Sequence, residues 1–245
     1  MSDVEQAVIL AGGLGTRLRP LTYKIPKPMI PINGSPFLEY LIALLKENNI
    51  RNIVICVGYL AEKIIKYFGD GSKYGVKITY SVGDVSFETG KRLKHAEALL
   101  NPTFLLMYCD NYWPLQLEKM IDFYKRKKAA VLITVYTNKQ QVTKNNVLVG
   151  ADDFLLKYDK SRQDKNLNGV EIGFLIVDKS ILSLIDENCN FEEKVYPILI
   201  DKQMIVAYKT DHRYYSISTP EKLKGTEEFL KPKKVILLDR DGVNR

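Results

Sequence analysis

"AVILAGGLGTRLRPLTYKIPKP", Ala7 to Pro28, sets a short apolar run against a glycine-rich turn, then a stretch of cations and prolines. The apolar run reads as a buried strand that empties into a loop. Gly12, Gly13 and Gly15 let backbone N–H groups approach a ligand with no Cβ in the way. Leu18 stands where a dinucleotide fingerprint needs its third glycine, and no Gly-Lys-Ser/Thr follows, so neither common phosphate-loop motif is complete. What remains is Thr16, Arg17 and Arg19, then Lys27 held between Pro26 and Pro28. Two prolines fix the backbone on either side of one lysine, which suits a cation that must be aimed.

Working outward, strand and helix patterns alternate. "SPFLEYLIALLKENN" predicts a helix with Ser35 as N-cap and Pro36 at its first position. Strands follow at Ile53–Val57 and Val76–Ser81, with the helical "AEKIIKYF" between them. A helix is expected over about 91–100, a strand over Thr103–Asp110, a helix over about 115–127 and then the strand "AAVLITVY". This alternation predicts an α/β, Rossmann-like three-layer fold with a mainly parallel mixed sheet. Beyond Val147 the pattern loosens, as for a small β subregion over the acceptor side. Ligands of such sheets bind beyond the strands' carboxyl ends, where "AGGLGTRLRP" and "CDN" both fall.

Composition narrows the classes. At 46% hydrophobic, 27% charged and 10% aromatic residues the chain has globular values, and its net charge of +7 suits a protein that handles anions. "KRKK" and "KPKK" read as solvated helix ends or linker, and no nucleic-acid module accompanies them. Cys56, Cys109 and Cys189 are too scattered for a metal site, and Cys56 and Cys109 lie in apolar strand-like runs, which fits buried thiols in a reducing cytosol. No apolar run is long enough for a membrane span, and the N-terminus reads as a strand, so a cytoplasmic protein without membrane or nucleic-acid partners is expected. His95 and His212 have no partner pattern.

"LAGGLGTRLRPLT…PKPMIPINGSPFLEYLI", with "YCDN" and "YYSISTPEKL" further on, resembles the signature of the sugar-1-phosphate nucleotidyltransferases. The likeness runs from about Ala7 to Phe229, and "KPMIPINGSPFLEYLI" is similar to the heptose-1-phosphate guanylyltransferases within that family. It implies attack of a sugar-phosphate oxygen on the α-phosphorus of an NTP, with loss of pyrophosphate. By the resemblance, Leu10, Ala11, Gly12 and Gly13 hold base and ribose, and Gly15 and Thr16 the phosphates. Arg17 stabilises the leaving pyrophosphate, and Lys27 bridges the α-phosphate and the incoming phosphate. Asp110, with Asn111 beside it on the substrate side, ends an apolar strand where a carboxylate can hold Mg²⁺ between triphosphate oxygens. Lys160 in "LLKYDKS" is matched to the lysine that grips the sugar phosphate, and Glu171 in "LNGVEIGFLIV" to the region that reads sugar hydroxyls.

Three departures stand out. "SISTPE" puts Ser216 where the family has its second metal-binding Asp, so the metal set is expected to be Asp110 and Ser216. "FETGKRL" puts Glu88 where a glycine approaches the base, with Lys91 and Arg92 replacing small residues, and Gly83 stands where relatives carry Glu or Gln. The C-terminal "VILLDRDGV" resembles the first motif of haloacid-dehalogenase-type phosphatases, with Asp239 as nucleophile and Asp241 as general acid. The expected organisation is a nucleotidyltransferase domain over 1–230, then a linker and the truncated first strand of a phosphatase domain over 231–245. The expected activity joins an NTP to a sugar 1-phosphate, with GTP and heptose 1-phosphate as the leading pair. A catalytically weakened, nucleotide-sugar-binding relative with a regulatory or scaffolding role is the alternative, and a homo-oligomer is compatible with either.

Overall fold

The computed structural model describes residues 4–232, so the Asp239–Asp241 motif lies outside the described residues. Seven strands form the central sheet: β1 (Gln6–Ala11), β2 (Asn52–Val57), β3 (Lys77–Val82), β4 (Thr103–Tyr108), β5 (Val131–Tyr136), β6 (Val170–Asp178) and β7 (Ile205–Thr210). Their spatial order is β7-β5-β6-β4-β1-β2-β3. Strand β6 runs antiparallel to both neighbours, and every other pairing in the sheet is parallel.

Burial on both faces explains the near-continuous apolar runs. Ile9, Ile55 and Met107 face one core layer with helices α1 (Phe37–Glu47), α2 (Ala61–Phe68) and α4 (Leu117–Lys127). Val8, Leu10, Cys56 and Leu106 face the other, against α3 (Thr89–His95) and α5 (Phe191–Asp201). Helix α6 (Pro220–Phe229) closes the described chain and is capped by the Thr219 hydroxyl. The expected three layers are therefore present, and burial pushes the Cys56 and Cys109 thiols up to about 12.

Two local expectations are corrected. Ser35 is not an N-cap: Ser35–Pro36 pairs with Pro31–Ile32, and α1 starts at Phe37. The cause is the Asn33–Gly34 turn, with φ of 48° and 90°, a two-residue hairpin connection that outcompetes the cap. The small β subregion exists as the antiparallel pair Val147–Val149 and Leu155–Tyr158. The nine residues of β6, however, return from it into the middle of the main sheet.

Candidate active site

Strands β1 and β4 are parallel neighbours with Leu10 opposite Tyr108, so the glycine loop and Asp110 leave the same sheet edge side by side. Gly15 adopts φ 62°, and a Cβ there would stand 3.0 Å from Thr22 and 3.2 Å from Lys27, so both conformation and space require glycine. The Thr22 hydroxyl ties the turn by donating to the Gly15 carbonyl at 2.9 Å. Gly13 by contrast faces open space.

Pro26 leads into a single tight turn over Lys27–Met29, closed by Met29 N–H on the Pro26 carbonyl at 2.8 Å. This delivers the Lys27 ammonium to the Asp110 carboxylate as a hydrogen-bonded ion pair, with the two side chains 13% and 21% exposed. Arg17 is exposed and its guanidinium forms no ion pair among the described residues. A cavity of about 360 Å³ opens here, and of the expected residues Leu10, Gly12, Gly13, Gly15, Thr16, Arg17, Lys27, Asp110 and Glu88 all line it. Ala11 is buried at the end of β1 instead.

The opposite wall is held by Arg92, a residue read from the sequence only as a replacement for a small one. It is 3% exposed. Its guanidinium donates to the carbonyls of Val57 at 2.8 Å, Asp84 at 2.9 Å and Phe87 at 3.1 Å. It packs so tightly under the glycine loop that a Cβ on Gly12 would lie 2.3 Å from it. One buried cation thus pins the loop before α3 to the end of β2. The signal in the sequence was weak, since an arginine in a basic helix normally points to water.

Next to Asp110, Asn111 donates to the Ile172 carbonyl at 3.0 Å and lies opposite Ser216 in a short antiparallel pair. Ser216 does not line the Asp110 cavity. It is 5% exposed, and its hydroxyl donates to Ser218 Oγ at 2.9 Å and accepts the Ser218 N–H at 3.1 Å. Ser218, two residues on, reaches the cavity instead. Lys160 also lies elsewhere: its ammonium pairs with Glu193 at 2.6 Å on the surface, with both side chains about half exposed.

Glu171 sits where β6 shifts register against β5, beside Gly173 at φ 82°, whose N–H donates to it at 2.6 Å. Burial first, then the charge of Glu192, push its carboxyl from 4.5 up to about 8. Glu192, in the first turn of α5, was not anticipated; it is buried and takes a hydrogen bond from the Tyr108 hydroxyl. The Tyr196 hydroxyl, also buried, has no partner among the described residues. Between 4.5 and about 8 the folded state keeps a proton on Glu171 that the unfolded chain releases, so stability falls as pH rises through that window. Glu171→Gln should flatten this part of a Tm-against-pH curve, with its advantage growing up to about pH 8. Parallel curves for the two proteins would show that Glu171 ionises normally.

Among the described residues no three His, Cys, Asp or Glu side chains group to hold a metal. The cavity offers the Asp110 carboxylate at the strand end, the Glu88 carboxylate on the opposite wall and the Ser218 hydroxyl. That fits Mg²⁺, which binds through one or two carboxylates plus substrate phosphates. No helix among the described residues is long and apolar enough to cross a membrane.

Known proteins resemble this chain in sequence and in fold. The profile of the nucleotidyl transferase family matches residues 6–154. A UTP–glucose-1-phosphate uridylyltransferase of Synechocystis is 30% identical over 214 residues, 80% of this chain and 55% of the relative. A D-glycero-alpha-D-manno-heptose 1-phosphate guanylyltransferase of Campylobacter jejuni is 30% identical over 192 residues, 77% of this chain and 83% of the relative. The chain spans 55% to 64% of the length of several curated relatives. HddC from Yersinia pseudotuberculosis, solved in complex with GMP-PN, superposes with a TM-score of 0.77 at 25% identity, over 92% of this chain and 100% of that one. A Bacillus anthracis protein described as a putative glucose-1-phosphate thymidylyltransferase reaches a TM-score of 0.81 at 16% identity, over 94% and 96% of the two chains, a likeness of fold. With the family profile matching more than half of its length and a 30%-identical relative covered over 83%, the chain belongs to the nucleotidyl transferase family.

Proposed function

We propose that this protein transfers a nucleotidyl group from an NTP to a sugar 1-phosphate, with GTP and heptose 1-phosphate as the leading pair. The observation that carries the reading is the Lys27–Asp110 pair set between the glycine loop and the cavity that Arg17 lines. A phosphate oxygen of the acceptor attacks the α-phosphorus, the bond from that phosphorus to the bridging oxygen breaks, and pyrophosphate leaves. Such a displacement needs positioning and charge neutralisation and no covalent intermediate. Backbone N–H groups of the glycine loop hold the triphosphate, Lys27 meets charge at the α-phosphate, and Arg17 meets it on the departing pyrophosphate. Asp110 would hold Mg²⁺, which supplies further charge neutralisation among the phosphates.

Support for the finer pair is the similarity to the Campylobacter heptose 1-phosphate guanylyltransferase and to HddC, which was solved with a guanine nucleotide analogue. The burial of Ser216 away from the Asp110 cavity favours a second reading, a relative that binds a nucleotide sugar without turnover. A pyrophosphate-release assay over the four NTPs and a panel of sugar 1-phosphates separates the two. Turnover with GTP and heptose 1-phosphate above all other pairs is expected. Tight binding of a nucleotide sugar with no release from any pair would establish the second reading.

A further inference from the structure

We propose that Glu88 is the residue that reads the base and that the base it selects is guanine. This rests on the nucleotidyl-transfer reading and names its donor by a physical contact. Glu88 lines the donor cavity on the wall facing the glycine loop. Its backbone is fixed on both sides: its N–H donates to Asn188 Oδ1 at 2.8 Å, and its carbonyl accepts the Arg92 N–H at 2.9 Å. The loop leading to it is held at Asp84 and Phe87 by the buried Arg92 guanidinium. The side-chain carboxylate itself is exposed and forms no hydrogen bond or ion pair among the described residues.

The lips of the same cavity carry exposed apolar side chains, Leu14 at 39% from the glycine loop and Val85 at 44% from the Arg92-held loop. Apolar lips suit the faces of a flat ring, and a carboxylate at the rim suits an edge that offers only donors. An ionised carboxylate is purely an acceptor and pairs best with two parallel N–H groups. Guanine alone presents adjacent donors, N1–H and N2–H, on one edge. Adenine and cytosine each set their amino group beside an acceptor nitrogen, and uracil and thymine flank a single N–H with two carbonyls. Each of these brings an acceptor against the carboxylate, so Glu88 rejects them as well as attracting guanine.

Equilibrium titration of GDP, IDP, ADP, UDP and CDP into the full chain tests this without requiring turnover. GDP should bind about 10- to 100-fold more tightly than the others, including IDP, which lacks only the exocyclic amine. Glu88→Gln and Glu88→Ala should bring all five to within a few-fold of one another, by loss of GDP affinity, with unchanged Tm because the residue is exposed. Equal affinity of the wild type for GDP and IDP, a GDP preference that survives both substitutions, or no binding of any diphosphate would overturn the proposal. A guanine preference that depends on Glu88, together with no pyrophosphate release from any pair, would leave it standing while the transfer reading failed.

Discussion

Replacing Lys27 by methionine should lower kcat about 100- to 1,000-fold, the usual cost of removing one preorganised charge from a transferring centre. The reason lies in how the lysine is held. Proline on both sides and a closed turn at Pro26–Met29 leave the ammonium little freedom, and it rests on Asp110 before any substrate arrives. Loss of that cation removes stabilisation that grows as negative charge develops at the α-phosphate, so kcat should fall much more than KM for the nucleotide rises. The fold should tolerate the change. The pair lies at a cavity edge, and a cost of about 1 kcal/mol corresponds to roughly 2–4 °C in Tm for a chain of this size. Steady-state kinetics with a thermal melt checks both halves. A variant that keeps wild-type kcat would remove Lys27 from the reaction.

Arg92→Leu should do the opposite, with its main effect on stability. The guanidinium's hydrogen bonds to the carbonyls of Val57, Asp84 and Phe87 are lost at once, and two of these carbonyls belong to the loop that walls the cavity; Val57 keeps the Gly83 N–H and Asp84 the Phe87 N–H. Losing three hydrogen bonds from one buried guanidinium, together with its packing, costs on the order of 3 kcal/mol, or roughly 6–12 °C in Tm. The freed loop should also raise the nucleotide KM about tenfold while kcat at saturation changes less. Arg92→Lys keeps the charge but cannot fork to three carbonyls, so it should rescue only a minor part of the loss. Thermal unfolding with nucleotide KM measures this. An unchanged Tm would mean that the loop is held by other contacts, such as the Asn188 side chain, which donates to the Ser86 carbonyl at 3.1 Å.

The parts of the site legible in the sequence are those whose meaning is local. Glycines after a strand, a lysine between prolines and an aspartate ending an apolar run carry their geometry in a few adjacent residues. The cavity gathers Arg17, Lys27, Asp110 and Glu88 accordingly. The parts that were not legible depend on distant pairing. Whether Ser216 or Ser218 reaches the Asp110 cavity is set by the short strand opposite Asn111 and by the Ile217 N–H on the Asp110 carbonyl at 2.9 Å. No pattern within "SISTPE" specifies it. Arg92 and Glu192 look like ordinary charges on helix surfaces, and only the packing of α3 and α5 together under the sheet edge turns them inward. The Thr89 hydroxyl accepts the Phe191 N–H at 2.8 Å, so α3 and α5 start from one junction. The place of β6 was hidden for the same reason, because an antiparallel insertion between β4 and β5 is decided by long-range register and not by its own apolar run.

Following a label on the α-phosphorus of GTP, incubated with this protein, heptose 1-phosphate and Mg²⁺, tests the central claim most directly. The expected result is label in a guanosine diphosphate sugar, unlabelled pyrophosphate in equal amount, and neither product when Lys27 is methionine. Label recovered as GMP or GDP, or left in GTP with every sugar 1-phosphate supplied, would contradict it.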